Sequence, residues 1–190
     1  MANKIWNTYC GLNSHEVKFG KQFVKLVKKH GLQHFYKVEN NWLYVATSYF
    51  GFKTLNLNFC NLLKDGGCLS NELDSLPDKV NKLFVSRSIQ CEKTEVNLTR
   101  DNLEIEILYS KVFDNGNPRR FYFVNKEYLS VYNPMTIYGD RNIDPVFPHN
   151  SDIHVEGFVL PISPKTISLT ARENIYYLNS MFETMAKGGE

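Results

Sequence analysis

The chain has 190 residues, is 43% hydrophobic and 14% aromatic, and carries a formal charge of +2. That is enough apolar material for a folded core, and it excludes a disordered or low-complexity chain. No run approaches the roughly 20 apolar residues of a membrane-spanning helix. The near-neutral total hides a split. Residues 1–64 hold nine lysines and two acids, Glu16 and Glu39, a balance of +7, and the remaining residues balance at −5.

Residues 15–30 predict a helix. At 100° per residue, Phe19, Phe23, Leu26 and Val27 share one face, and Lys18, Lys21, Lys25, Lys28 and Lys29 share the other. Ser14 is the expected N-cap and Gly31 the expected residue that stops the helix. Residues 42–58 switch to strand character, with Leu55, Leu57 and Phe59 alternating onto one face. Residues 64–67 read as a turn and 70–84 as a short helix, with Pro77 breaking it or starting a second one. Residues 103–113 alternate as a strand, Asn115-Gly116 predicts a tight turn, and 119–124 return as a second strand. Residues 128–132 read as a third strand. Residues 133–152 hold Pro134, Pro145 and Pro148 and predict a long irregular loop. Short strands are expected at 158–160 and 167–169, then a helix over 171–186 with Ile175, Leu178, Phe182 and Met185 on one face. The expected fold class is α+β: a single domain over 1–190, with an antiparallel sheet and the N- and C-terminal helices packed on one side of it.

Cys10, Cys60, Cys68 and Cys91 make no closely spaced pair, so no zinc site and no disulfide framework are expected. Residues 1–7 lack the apolar core of a secretory leader, which gives a cytoplasmic reading. The abundance of Asn, Lys, Phe and Tyr fits an AT-rich genome, as in a low-GC bacterium or a phage.

The C-terminal third resembles the end of a bacterial and phage domain family of unknown function. The matching pieces are Asn133-Pro134, the run from Gly157 through Pro161, Ile162, Ser163 and Pro164, and Leu178-Asn179. Tyr132 stands where family members carry an acid. The resemblance implies a mixed α+β fold and a bacterial or phage origin, and it implies no activity and no catalytic residue.

Three features carry chemistry. The lysine stripe on 18–29 offers point charge to a nucleic-acid backbone or to an acidic protein surface. It lacks the arginines that read base edges, and it also leaves room for docking on the chain's own acidic half, in the same molecule or in a homodimer. Arg119 and Arg120 precede Phe121, Tyr122 and Phe123, a mixture that can stack single-stranded bases; alternation also explains these aromatics as one core face and one polar face. His30 and His34 are four apart, and Asp140, Asp144, His149, His154 and Glu156 form a candidate metal or acid–base group for a hydrolase. There is no phosphate loop, dinucleotide fingerprint, nucleophile elbow or zincin helix, so no cofactor is expected. The leading expectation is a small non-enzymatic interaction protein, a phage or mobile-element factor that binds and inhibits a host macromolecule. The partner-binding candidates are the five stripe lysines with Arg119 and Arg120. A nucleic-acid-binding protein or nucleic-acid-processing enzyme, and a hydrolase using the 140–156 loop, are the alternatives.

Overall fold

The computed structural model describes residues 9–75, 77–78, 83–84, 89–100, 103–114, 117–118, 120–139, 145–162, 176 and 180. Helix α1 spans Ser14–Lys29. Its N-cap is Asn13 rather than Ser14, and the reason lies three residues on. The Asn13 side chain accepts from the N–H groups of His15 and Glu16, both at 2.9 Å, while Glu16 Oε2 accepts from the Asn13 N–H at 2.8 Å. This capping box needs a Glu or Gln at the third helical position. Asn13 has Glu16 there, whereas Ser14 would have Val17. At the other end Gly31 adopts φ +57. The Leu32 N–H reaches Val27 O at 3.0 Å and the Gly31 N–H reaches Lys28 O at 3.2 Å, closing the helix in a Schellman motif.

Strands β1 (His34–Glu39) and β2 (Trp42–Thr47) form a hairpin. Its two-residue loop, Asn40 and Asn41, has φ of +50 and +64, the geometry that matches strand twist. Strand β3 is Phe50–Thr54. The expected continuation of strand through residue 59 does not occur. Thr54 Oγ1 accepts from the Asn56 N–H at 3.0 Å, and Asn56 Oδ1 accepts from the Asn58 N–H at 3.2 Å. Such local side-chain bonds compete with a strand ladder, and the chain turns into helix α2, Phe59–Asp65. Leu55 and Leu57 are left exposed while Phe59 is buried.

Strands β4 (Ile89–Arg100), β5 (Leu103–Ser110), the short pair β6 (Phe113–Asp114) and β7 (Asn117–Pro118), and β8 (Phe121–Asn125) follow. Residues 128–132 are not a strand. Asn125 accepts from the Glu127 N–H at 2.9 Å and starts a short helix, α3, Lys126–Ser130. Residues 133–152 are not an irregular loop either: they contain β9 (Thr136–Gly139) and β10 (Val146–His149), paired antiparallel. Strand β11 is Glu156–Val159. Of the expected 70–84 helix, Asp78 is helical, and residues 71–73 instead bond the outer edge of β1. Tyr176 and Ser180 are helical. The rest of the expected C-terminal helix, the 167–169 strand and the Asn115-Gly116 turn lie outside the described residues.

All but the β6–β7 pair join one antiparallel sheet of nine strands, in the order β1-β2-β3-β11-β10-β9-β4-β5-β8. With the helices this is a mixed α+β structure. The sheet is strongly curled. The Ile162 N–H donates to Phe123 O in β8 at 2.7 Å. Ile162 is three residues beyond the end of β11, a reach of at most about 11 Å. A flat sheet would hold β11 and β8, five spacings apart, at about 24 Å. Tyr128 of α3, just after β8, likewise stacks on Phe50 of β3 with ring centroids 4.7 Å apart. A register shift in β4 between Lys93 and Asn97 gives the sheet a place to bend.

The apolar face of α1 lies on the concave side. Phe19 meets Phe52 edge-on at 5.0 Å, and Phe23 meets Phe50 and Phe52 at 5.1 Å each. Burying each of these rings contributes about 1.5–3 kcal/mol, so tertiary contact rather than intrinsic propensity holds the helix. Tyr132 sits at the centre, its hydroxyl donating to Gly51 O at 2.6 Å. Gly157 is required beneath it, because a Cβ there would come within 2.2 Å of the Tyr132 ring. Cys10 is exposed, Cys68 and Cys91 are buried, and all four cysteines are free thiols. Burial pushes the Cys91 thiol up to about 12, which leaves it inert. No helix among the described residues is long and apolar enough to cross a membrane.

Candidate cationic docking surface

Burial of Phe19, Phe23, Leu26 and Val27 turns the opposite face of α1 outward, and Lys18, Lys21, Lys25, Lys28 and Lys29 are all exposed on it. Lys29 is spoken for: its Nζ lies 2.6 Å from Glu127 Oε1 on α3, and His30 Nε2 lies 2.8 Å from Glu127 Oε2. Burial pushes the Glu127 carboxyl up, but the hydrogen bonds and charges of Lys29 and His30 outweigh it and leave the group below its ordinary value. Among the described residues, Lys18, Lys21, Lys25 and Lys28 pair with no carboxylate.

The acidic half of the chain is different. Glu106 pairs with Lys93 at 3.0 Å, Glu92 with Lys111 at 2.6 Å, Glu104 with Lys126 at 2.9 Å and Glu156 with Lys53 at 3.3 Å. Hydrogen bonds from Lys111 and Tyr109 hold Glu92 below the usual carboxylate range. These sheet acids already have partners next to them. Among the described residues, four lysines without a carboxylate are thus gathered on one face of α1.

Two clefts adjoin that face. One is a shallow notch on α1 itself, lined by Ser14, Val17, Lys18, Lys21, Gln22 and Lys25. The other runs between α1 and the end of α3, where Gln22, Lys25 and Leu26 face Ser130 and Val131. It continues past Lys18 and Phe19 to Tyr132 and Asn133. The α3 wall escapes sequence reasoning because residues 128–132 look like a strand; Asn125 followed by Glu127, a cap followed by a first-turn acid, is the signal that marks it as helical.

The other candidates do not join this surface. Arg119 lies outside the described residues. Arg120 is half-buried and lines none of the clefts beside α1. Phe121 and Phe123 pack with Ile105 and Ile107 in one apolar cluster, and Tyr122 points into the main core. Those aromatics are structural and form no base-stacking platform. His30 and His34 diverge, since His30 turns to Glu127 while His34 Nδ1 lies 3.2 Å from Leu32 O.

Of the 140–156 group, His149, His154 and Glu156 line one cavity with Trp42, Leu55 and Val155. Asp140 and Asp144 lie outside the described residues. Among the described residues, no cluster of three or more His, Cys, Asp or Glu side chains is arranged to hold a metal ion. Comparison with protein-family models, curated proteins and solved structures finds no match for this chain.

Proposed function

We propose that this protein is a non-enzymatic interaction module whose α1 lysine face docks an acidic surface of a protein partner. The observation that carries this reading is the asymmetry of pairing: among the described residues, four exposed lysines stand without a carboxylate on one helix face, while Glu92, Glu104, Glu106 and Glu156 of the sheet each stand beside a lysine. Crowding like charges on one face opposes the helix, and an acidic partner relieves that repulsion. Such a face steers encounter and accelerates association more than it adds affinity.

A protein partner is favoured over nucleic acid by what surrounds the lysines. No arginine accompanies them, and the large exposed aromatics, Tyr49, Phe113 and Tyr176, lie outside α1. Val17 and the lysine stems instead give the notch an apolar floor, which suits an acidic segment with apolar side chains. The AT-rich composition supports a phage or mobile-element source, acting in the cytoplasm to block a host protein.

The test is capture from a nuclease-treated lysate of a low-GC bacterial host, comparing the natural protein with the Lys18→Glu, Lys21→Glu, Lys25→Glu triple variant. An acidic protein retained by the former, released by salt and lost with the latter, supports the reading. Retention on DNA that nuclease abolishes transfers the site to nucleic acid. Unchanged capture by the triple variant reduces the stripe to an ordinary solvated face.

A further inference from the structure

The cavity of about 580 Å³ beside β10 and β11 is independent of the lysine face. Its floor is apolar, formed by Trp42, Leu55, Ile153 and Val155. A volume of this size with a mainly apolar exposed lining falls in the range of small-molecule sites.

Several polar groups around it already have partners. Lys53 pairs with Glu156 at 3.3 Å and lies 4.7 Å over the Trp42 ring. Asn56 donates to Gly11 O and accepts from Asn58. His154 is held differently. Its Nδ1 lies 3.0 Å from Oε1 of Glu16, a carboxylate that is 2% exposed and tied at its other oxygen to the α1 N-cap. A carboxylate accepts, so Nδ1 carries the proton and Nε2 of the neutral ring presents a lone pair. The His154 side chain is 76% exposed, and no described residue occupies Nε2. A buried carboxylate thus fixes the tautomer of an imidazole whose free nitrogen is available at the mouth of an apolar cavity.

We infer that this cavity is a binding site for a small, neutral aromatic ligand that donates an O–H or N–H to His154 Nε2. The apolar floor takes the ring. The mutual pairing of Lys53 with Glu156 offers a charged ligand no unmatched opposite charge. Glu16 acts as a positioning residue: it is the one acid within the α1 sequence and reaches across to a turn 138 residues away.

Phenol and its methyl ether, anisole, separate the ring from the donor. Binding is read by NMR from the Trp42 indole and the Ile153 and Val155 methyl signals. The natural protein is expected to bind phenol about two- to tenfold more tightly than anisole, the range of one net hydrogen bond. His154→Ala should bring the two affinities together while leaving anisole binding unchanged. Glu16→Gln, which can still complete the capping box, should keep the fold and reduce the phenol preference. Equal affinities for the two probes in the natural protein, or a preference that survives His154→Ala, overturns the role of His154. No shift of the cavity signals at millimolar phenol overturns the site itself.

Discussion

Lys25→Glu should make this protein more stable, and the reason lies in its neighbours. Lys21 is one turn before it, and Lys28 and Lys29 are three and four residues after it. Like charges at these spacings oppose a helix by about 0.2–0.5 kcal/mol per pair, and opposite charges favour it by a similar amount. Lys29 is engaged with Glu127 at 2.6 Å, so Lys21 and Lys28 are the pairs that respond freely. Turning two repulsions into two attractions is worth about 1–2 kcal/mol at low salt. Screening, with a Debye length of about 8 Å at physiological ionic strength, reduces this to about 1 kcal/mol. Position 25 precedes the last turn of α1, so the macrodipole penalty for an acid there is small. For a chain of 190 residues, such a gain raises Tm by about 2–4 °C. Lys25→Gln removes repulsion without adding attraction and should give about half. Calorimetry in dilute buffer and again in 1 M salt checks both numbers, because the gain must shrink with screening. A lower Tm for Lys25→Glu, or a gain that high salt leaves intact, would refute the idea of a self-repelling face. The same change should weaken capture of the proposed acidic partner, so stability and binding would move in opposite directions.

Glu127 should contribute to acid unfolding. Its carboxyl is depressed in the fold, so its contribution is complete above the unfolded value near pH 4.3 and is lost as pH falls through the lower native value. Glu127→Gln is expected to cost about 0.5–1 kcal/mol at neutral pH, the range for partly exposed pairs, and to flatten the stability–pH curve below about pH 4.5; parallel curves would remove this residue from acid unfolding. Tyr132→Phe leaves Gly51 O without its 2.6 Å bond and should cost about 1–3 kcal/mol in urea unfolding. Gly157→Ala forces a Cβ against the Tyr132 ring and should cost about 1–3 kcal/mol. Neutral results for both would mean that the centre of the sheet is looser than its geometry.

Helix α1 was legible because its signals are local: a period of 3.6, a glycine at its end and a lysine stripe opposite the phenylalanines. The strands 103–110 and 121–125 were legible by alternation for the same reason. The misreadings share a cause, which is competition between side-chain bonds and backbone pattern. Thr54 and Asn56 turn the chain where Leu55, Leu57 and Phe59 suggest a strand, and Asn125 starts a helix where Tyr128 and Val131 suggest another. The 133–152 segment was misread because its prolines do not obstruct the ladder. Pro148 is paired with Ile137 in the β9–β10 ladder, so the proline content signalled a loop where the register forms a hairpin. The order of the sheet and its curl were not legible at all, because they depend on pairings such as Phe123 with Ile162 that no local pattern encodes.

The charge split shows the same limit from another side. Counting residues sets Glu16 against the nine lysines of 1–64, as if it neutralised one of them. In the fold its carboxylate is buried, spends one oxygen on the Asn13 N–H and the other on His154, and lies on the opposite side of α1 from the stripe. It therefore screens the exposed lysines little. On the acidic half Glu92, Glu104, Glu106 and Glu156 each stand against a lysine, and three of those lysines, Lys93, Lys111 and Lys126, belong to the same half, so the net count already includes them. A net charge near zero and a strongly one-sided surface are thus compatible. The uncompensated positive charge of the α1 face is therefore larger than its composition implies, while the paired sheet acids are compensated where they stand. On that ground the proposed outside acidic partner suits the stripe better than sheet acids that already stand beside lysines.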